Sequence, residues 1–142
     1  MNKKRVVITG MGIVSSIGNN VNEVKDSLIN QKSGIVHAPT YKEMGFRSQI
    51  HGEVKLNLED HVDKKQLRFM GAGAAYSVLA MEQAIKDAGL SPEEVSNPKT
   101  GLIAGSGGPS TVNLLQSFDI AREKGPKRGR PFMVTRCMRS SV

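Results

Sequence analysis

The run Arg5–Thr9 is β-branched from Val6 onward and breaks at once into Gly10-Met11-Gly12. Branched side chains crowd a helix and suit a pleated, half-buried surface, so this run is expected to be a buried strand. The two glycines after it predict a tight turn at which a side chain would not fit. Asn20 then precedes Glu23 by three residues, the spacing at which an N-cap side chain and an N3 carboxylate satisfy each other's free amides. Val21, Val24 and Leu28 follow on one helical face. A strand, a glycine turn and a capped helix are therefore expected to open the chain.

The same logic carries on downstream. Gln31–Gly34 reads as the helix exit, a polar loop is expected through Gly45, and Arg47–Val54 alternates weakly, as an edge or hairpin strand would. Asp63–Met70 predicts a short basic helical turn. Gly71–Ala88 is rich in alanine, with Ala75, Leu79, Met81, Ala84 and Ile85 giving broad apolar coverage, and Gly89 stands where a left-handed C-cap belongs. Ser91-Pro92-Glu93-Glu94 supplies an N-cap, an N1 proline and an N3 carboxylate, hence a short helix. Gly101–Ala104 reads as an apolar strand entering Gly105–Pro109, and Val112, Leu115 and Phe118 mark a helix ending near Gly125. Strand and helix in alternation predict an α/β fold. No internal repeat, low-complexity tract or domain linker interrupts it.

A length of 142 residues suits one domain, and with no Trp, two Tyr and four Phe the core must rest on aliphatic side chains and Met. The formal charge of +7 implies attraction to something acidic, whether nucleic acid, an anionic membrane surface or an acidic protein, and charge alone does not choose among them. A single Cys excludes an internal disulfide, and the three His are too scattered to give zinc-ligand spacing with it. No apolar run is long enough to span a bilayer, and the basic start MNKKR leads into a short strand rather than a signal-peptide core. These features predict a soluble, cytoplasmic protein without membrane insertion.

Neither glycine-rich stretch completes a nucleotide-binding motif. Gly10-x-Gly12 has Ser15 where a dinucleotide fingerprint needs its third glycine, and no acidic residue ends a second strand about twenty positions on. Gly105–Gly108 lacks the Gly-Lys-Ser/Thr of a phosphate loop.

Three segments in order, RVVITGMGIVSSIGNN, RFMGAGAAYSVLAMEQAIKDAGLSPEE and GLIAGSGG, resemble the β-ketoacyl-acyl-carrier-protein synthases, and among them the type I members. The likeness runs over nearly the whole chain, weakest in Val36–Lys42 and Thr111–Lys124, and covers about the first third of such an enzyme. It implies a thiolase-like fold of layered αβαβα architecture, of which residues 1–142 would be an incomplete N-terminal part. It also implies fatty-acid chain elongation, in which malonyl-carrier-protein is decarboxylated and condensed with an acyl chain held on a cysteine, with no metal, nucleotide or other cofactor.

By this resemblance Gly108 shapes the floor of the acyl-chain pocket, and Met138 lines it near the boundary of a homodimer. Arg47, Lys64, Lys65 and Arg68 form one basic cluster and Lys127, Arg128 and Arg130 another, both meeting an acidic acyl carrier protein. The catalytic cysteine and its two histidine partners would lie beyond Val142, so the chain alone is expected to be inactive. Cys137 aligns with an ordinary small position and is expected to be a small buried hydrophobe, and His37, His51 and His61 match neither histidine. A rival reading takes GPKRGRP as a phosphate-contacting loop of a nucleic-acid-binding module, although no aromatic interleaving, helix-turn-helix pattern or zinc spacing accompanies it. Another takes the chain as a truncated remnant that only binds the carrier.

Overall fold

A computed structural model describes residues 4–138. Met1–Lys3, the basic start, and the last four residues, 139–142, lie outside the described residues. In chain order the elements are α1 (Val21–Ile29), β1 (Ile35–His37), α2 (Pro39–Glu43), β2 (Ile50–Gly52), α3 (Lys64–Leu67), α4 (Ala72–Ala88), α5 (Pro92–Val95), α6 (Thr111–Lys124) and α7 (Phe132–Cys137), with short 3-10 turns at Leu58–Asp60 and Pro126–Arg128. They form two compact units. The first gathers the residues as far as Leu56 with Ala80–Leu90, and the second Asn57–Leu79 with the residues from Ser91 onward.

In the first unit the opening segment lies along the second half of α4. Ala80, Ala84 and Ala88 recur every four residues and so share one face of that helix. A Cβ on Gly10 would overlap the Ala84 carbonyl and the Ala88 side chain, and one on Gly12 the Ala80 carbonyl. The close approach is sealed by polar contacts. The Met11 amide donates to Asp87 Oδ2 at 2.9 Å, the Ile13 amide to Gln83 Oε1 at 3.2 Å, and Gln83 Nε2 donates to the Asn19 carbonyl at 2.8 Å. The glycines are thus required by helix packing rather than by a turn, since neither has a positive φ.

The cap of α1 differs from expectation by one residue. Asn20 Oδ1 accepts from the Glu23 amide at 3.0 Å, while the Glu23 carboxylate accepts from the Asn19 amide at 2.8 Å and from Asn20 Nδ2 at 2.7 Å. Strands β1 and β2 pair antiparallel, with Ile35 opposite Gly52 and His37 opposite Ile50. That pairing places β2 inside the expected Arg47–Val54 strand and adds β1 where a loop is expected. The Tyr41 ring packs against Phe46 at 5.5 Å and His51 at 5.6 Å, closing one end of the hairpin.

Two expected strands are not formed. Arg5–Thr9 and Gly101–Ala104 have no strand beside them among the described residues. A strand exists only in a pair, because its amides and carbonyls need a neighbouring ladder. Their apolar side chains are consequently bare, with Val6 94% and Ile103 98% exposed. The structure is therefore a partial mixed α/β arrangement.

In the second unit the first half of α4 buries Ala74, Ala75 and Leu79; in the first unit Met81, expected to add to the apolar coverage of α4, is exposed. Met133 of α7 and Val62 are buried in the second unit. Gly89 (φ 67°) and Gly125 (φ 80°) follow the ends of α4 and α6 in the left-handed half of backbone space. Ser91 and Glu94 complete a capping box at α5, as the sequence predicts. No helix of the described residues is long and apolar enough to cross a membrane.

Candidate functional site

The second unit carries two adjoining concavities. The larger, about 880 Å³, lies between the end of α6, the Pro126–Arg128 turn and α7. Lys124, Lys127, Arg128, Arg130 and Arg136 line it together with Gln116, Ile120, Phe132 and Met133. Five cations converge there with no carboxylate in the lining. Such a cavity concentrates positive potential and attracts acidic groups.

The local sequence explains the convergence. Gly125 ends α6 with a positive φ, Pro126 opens the following turn at N1, and Pro131 stands immediately before α7. The chain therefore reverses within a few residues and stacks its basic run against the helix it has just left. Phe132 and Arg136 are four apart on α7 and share a face. The Arg136 Nε is shielded from solvent and meets no acceptor among the described residues.

Both expected basic clusters reach Phe132. The Arg68 guanidinium lies 5.6 Å from the centre of its ring and the Arg130 guanidinium 5.7 Å, while Phe69 meets the ring edge-on at 6.5 Å. Arg68 closes α3, whose first turn is capped by Asp63 Oδ1 accepting from the Lys65 amide at 2.7 Å. Lys64 pairs with Glu59 at 3.4 Å, both groups well exposed, and such surface pairs contribute at most about 1 kcal/mol. Lys64 and Lys65 are exposed on α3 and do not line the large cavity. Arg47 belongs to the first unit.

The smaller concavity, about 140 Å³, brings together Gly108 and Met138 with Gly71, Gly73, Ala74, Pro109 and Ser110. Arg136 lines this one as well as the larger, so a single side chain borders both. A Cβ on Gly108 would enter open space, whereas one on Gly71 would press on the Arg136 carbonyl and the Ser110 side chain at 3.2 Å. Gly71 thus lets the start of α4 and the end of α7 meet, and Gly108 leaves the cavity unfilled.

Cys137 is half-buried rather than fully covered, at the last position of the short α7, of which only Met133 is buried among the described residues. No imidazole hydrogen-bonds its thiol among the described residues. His37 is exposed on β1, His51 packs on Tyr41, and His61 caps the Leu58–Asp60 turn. No group of three or more His, Cys, Asp or Glu suited to a metal ion occurs among the described residues. Lys124 and Arg136 also line the large cavity, although neither belongs to the basic clusters expected from the sequence. Lys124 was detectable as the neighbour of the basic run, and Arg136 from its four-residue spacing to Phe132.

Residues 3–142 match the family described as beta-ketoacyl synthase, N-terminal domain. The 3-oxoacyl-(acyl-carrier-protein) synthase 1 of Haemophilus influenzae is 50% identical over 140 residues, which cover 98% of this chain and 34% of that protein. Its namesake from Escherichia coli is 50% identical over 141 residues, covering 98% and 35%. Among solved structures, the ishigamide ketosynthase/chain length factor superposes with a TM-score of 0.82 at 25% identity, over 96% of this chain and 34% of that one. The chain spans about a third of the length of the curated relatives it matches.

Proposed function

Since this chain belongs to the β-ketoacyl synthase family through its N-terminal domain, we propose that it serves a 3-oxoacyl-(acyl-carrier-protein) synthase and supplies that enzyme's docking rim and part of its acyl pocket. The observation that carries this reading is 50% identity over 98% of the chain to enzymes of that name. The five-cation cavity and the small glycine-lined cavity beside it support it independently.

In the proposed reaction an acyl group passes from its carrier thioester to a cysteine thiolate, releasing the carrier thiol. Malonyl-carrier-protein then loses carbon dioxide, and the resulting carbanion attacks the acyl carbonyl. The cysteine thiolate leaves, and the 3-oxoacyl chain remains on the carrier. Donors aimed at the developing oxyanion accelerate both transfers. Cys137 and the three histidines are not assigned to these roles, so the condensing centre is proposed to come from polypeptide other than these residues.

What this chain contributes is recognition. Lys127, Arg128 and Arg130, joined by Lys124 and Arg136, present positive charge to an acidic carrier, and Arg68, Lys64 and Lys65 extend it along α3. Arg47 is proposed to act on the same partner. Complementary charge raises the encounter rate more than it deepens affinity, and its effect weakens as salt screens it. Gly108 and Met138 border space for an acyl chain, where a missing side chain admits methylenes and a thioether adapts to their number. A cytoplasmic location and a homodimeric state accompany this reading.

Titrating the 142-residue chain with holo acyl carrier protein, beside a random-sequence DNA duplex, tests it. Saturable, salt-sensitive binding to the carrier is expected. Saturable binding to the duplex alone would replace this reading with nucleic-acid recognition.

A further inference from the structure

The two basic segments lie far apart in sequence, one at α3 and one before α7, yet their arginines share a single aromatic ring. We propose that Phe132 is a positioning residue that holds Arg68 and Arg130 as one two-pronged clamp for paired carboxylates on an acidic carrier protein. The proposal rests on the docking function above and adds the residue that makes two clusters act together.

Each guanidinium carbon sits within 6 Å of the Phe132 centroid, the range in which a cation is drawn to the ring. The two carbons therefore lie within about 11 Å of one another. A helix rises about 5.4 Å per turn, so acidic side chains one or two turns apart on a partner helix match that reach. Neither guanidinium has an ion-pair partner among the described residues. Their charge is held by an uncharged surface and remains available to an incoming anion.

Guanidinium chemistry suits this arrangement. A planar cation resting near a ring keeps its N–H donors at its rim, and those donors form a fork that fits a carboxylate with two parallel hydrogen bonds. A free arginine on a solvated surface samples many rotamers and must lose that freedom on binding. The ring removes part of the loss beforehand.

The ring is itself held. Phe69 meets it edge-on at 83°, Pro131 restricts the backbone before it, and Met133 after it is buried. Phe132 is half-buried, with Phe69 packed on its edge besides the two arginines. Lysine at either position would lack the planar fork, which separates this pair from Lys64, Lys65 and Lys127.

The test uses the 142-residue chain and holo acyl carrier protein from Escherichia coli, with affinities measured at low and moderate salt. Phe132→Leu keeps an apolar side chain but removes the aromatic face, and is expected to weaken binding about 3- to 10-fold, while Phe132→Tyr stays within about twofold of the parent. In the Arg68→Ala/Arg130→Ala background, Phe132→Leu should add nothing, because the ring acts through those arginines. An unchanged affinity for Phe132→Leu, with Arg68→Ala and Arg130→Ala each weakening binding, would overturn the clamp and leave the docking function standing. Absence of carrier binding by the parent chain would overturn both. NMR of the parent chain gives a measurement that does not depend on any variant folding: side-chain protons of Arg68 and Arg130 should be displaced by the ring current, and random-coil positions for both would overturn the proposal.

Discussion

Gly12 lies so close to Ala80 that a single added carbon would overlap the Ala80 carbonyl. The contact shows why the opening segment is glycine-rich although it makes no turn there. A side chain at this point would lift the segment off α4 and break the bonds from Met11 to Asp87 and from Ile13 to Gln83.

Gly12→Ala is therefore expected to destabilise the first unit by about 1–3 kcal/mol, the usual cost of overpacking a close contact. Gly73 offers the opposite case, since it sits in α4 with nothing within 4 Å of a built Cβ. Gly73→Ala should stabilise by about 0.5–1 kcal/mol through helix propensity. Urea unfolding followed by circular dichroism should move its midpoint in opposite directions for the two variants.

Asp26 gives a pH dependence of known sign. Hydrogen bonding and attraction from Lys32, 2.5 Å away, hold its carboxyl below the usual carboxylate range, with a smaller contribution from Asn30. A depressed carboxyl stabilises the fold at pH above its unfolded value, and that contribution is lost as pH falls through the folded value. Carbon-detected NMR titration should place the Asp26 midpoint low, and Lys32→Ala should return it toward the ordinary value.

Open space beside Gly108 predicts chain-length control. In the Haemophilus influenzae synthase with its matching N-terminal residues exchanged for this chain, Gly108→Met should lower kcat/KM for long acyl chains more than for short ones. Each excluded methylene removes about 0.8 kcal/mol, or about fourfold. An equal loss at every chain length would show that Gly108 does not border the acyl chain.

The 142-residue chain alone is expected to release no carbon dioxide from malonyl-carrier-protein above background. Radiolabelled malonyl substrate checks this, and Cys137→Ser should change nothing.

Local signals were legible and pairwise ones were not. Asn20, Ser91, Gly89 and Gly125 act on their own helix ends, so their spacing alone located α1, α5 and the ends of α4 and α6. The turn expected at Gly10–Gly12 is instead a close helix contact, and a glycine demanded by a neighbouring helix looks the same in sequence as one demanded by φ. Ile35–His37 escaped notice because three residues are too few to show alternation, and their partner begins at Ile50. The basic clusters were visible as composition, and Gly108 and Met138 border the same small concavity, which by itself does not identify what it holds. Their organisation was hidden, because the meeting of Arg68 and Arg130 at Phe132 depends on where α3 and α7 pack.

The bare stretches at Val6–Ile8 and Leu102–Ile103 have a consequence for anyone handling this polypeptide by itself. Branched, uncharged segments that have no neighbouring strand among the described residues are templates for one another, so concentrated solutions should thicken into β-rich aggregates whose growth begins at these two places. Lysine at Val7 or Ile103 would blunt that self-association while leaving the cationic cavity untouched.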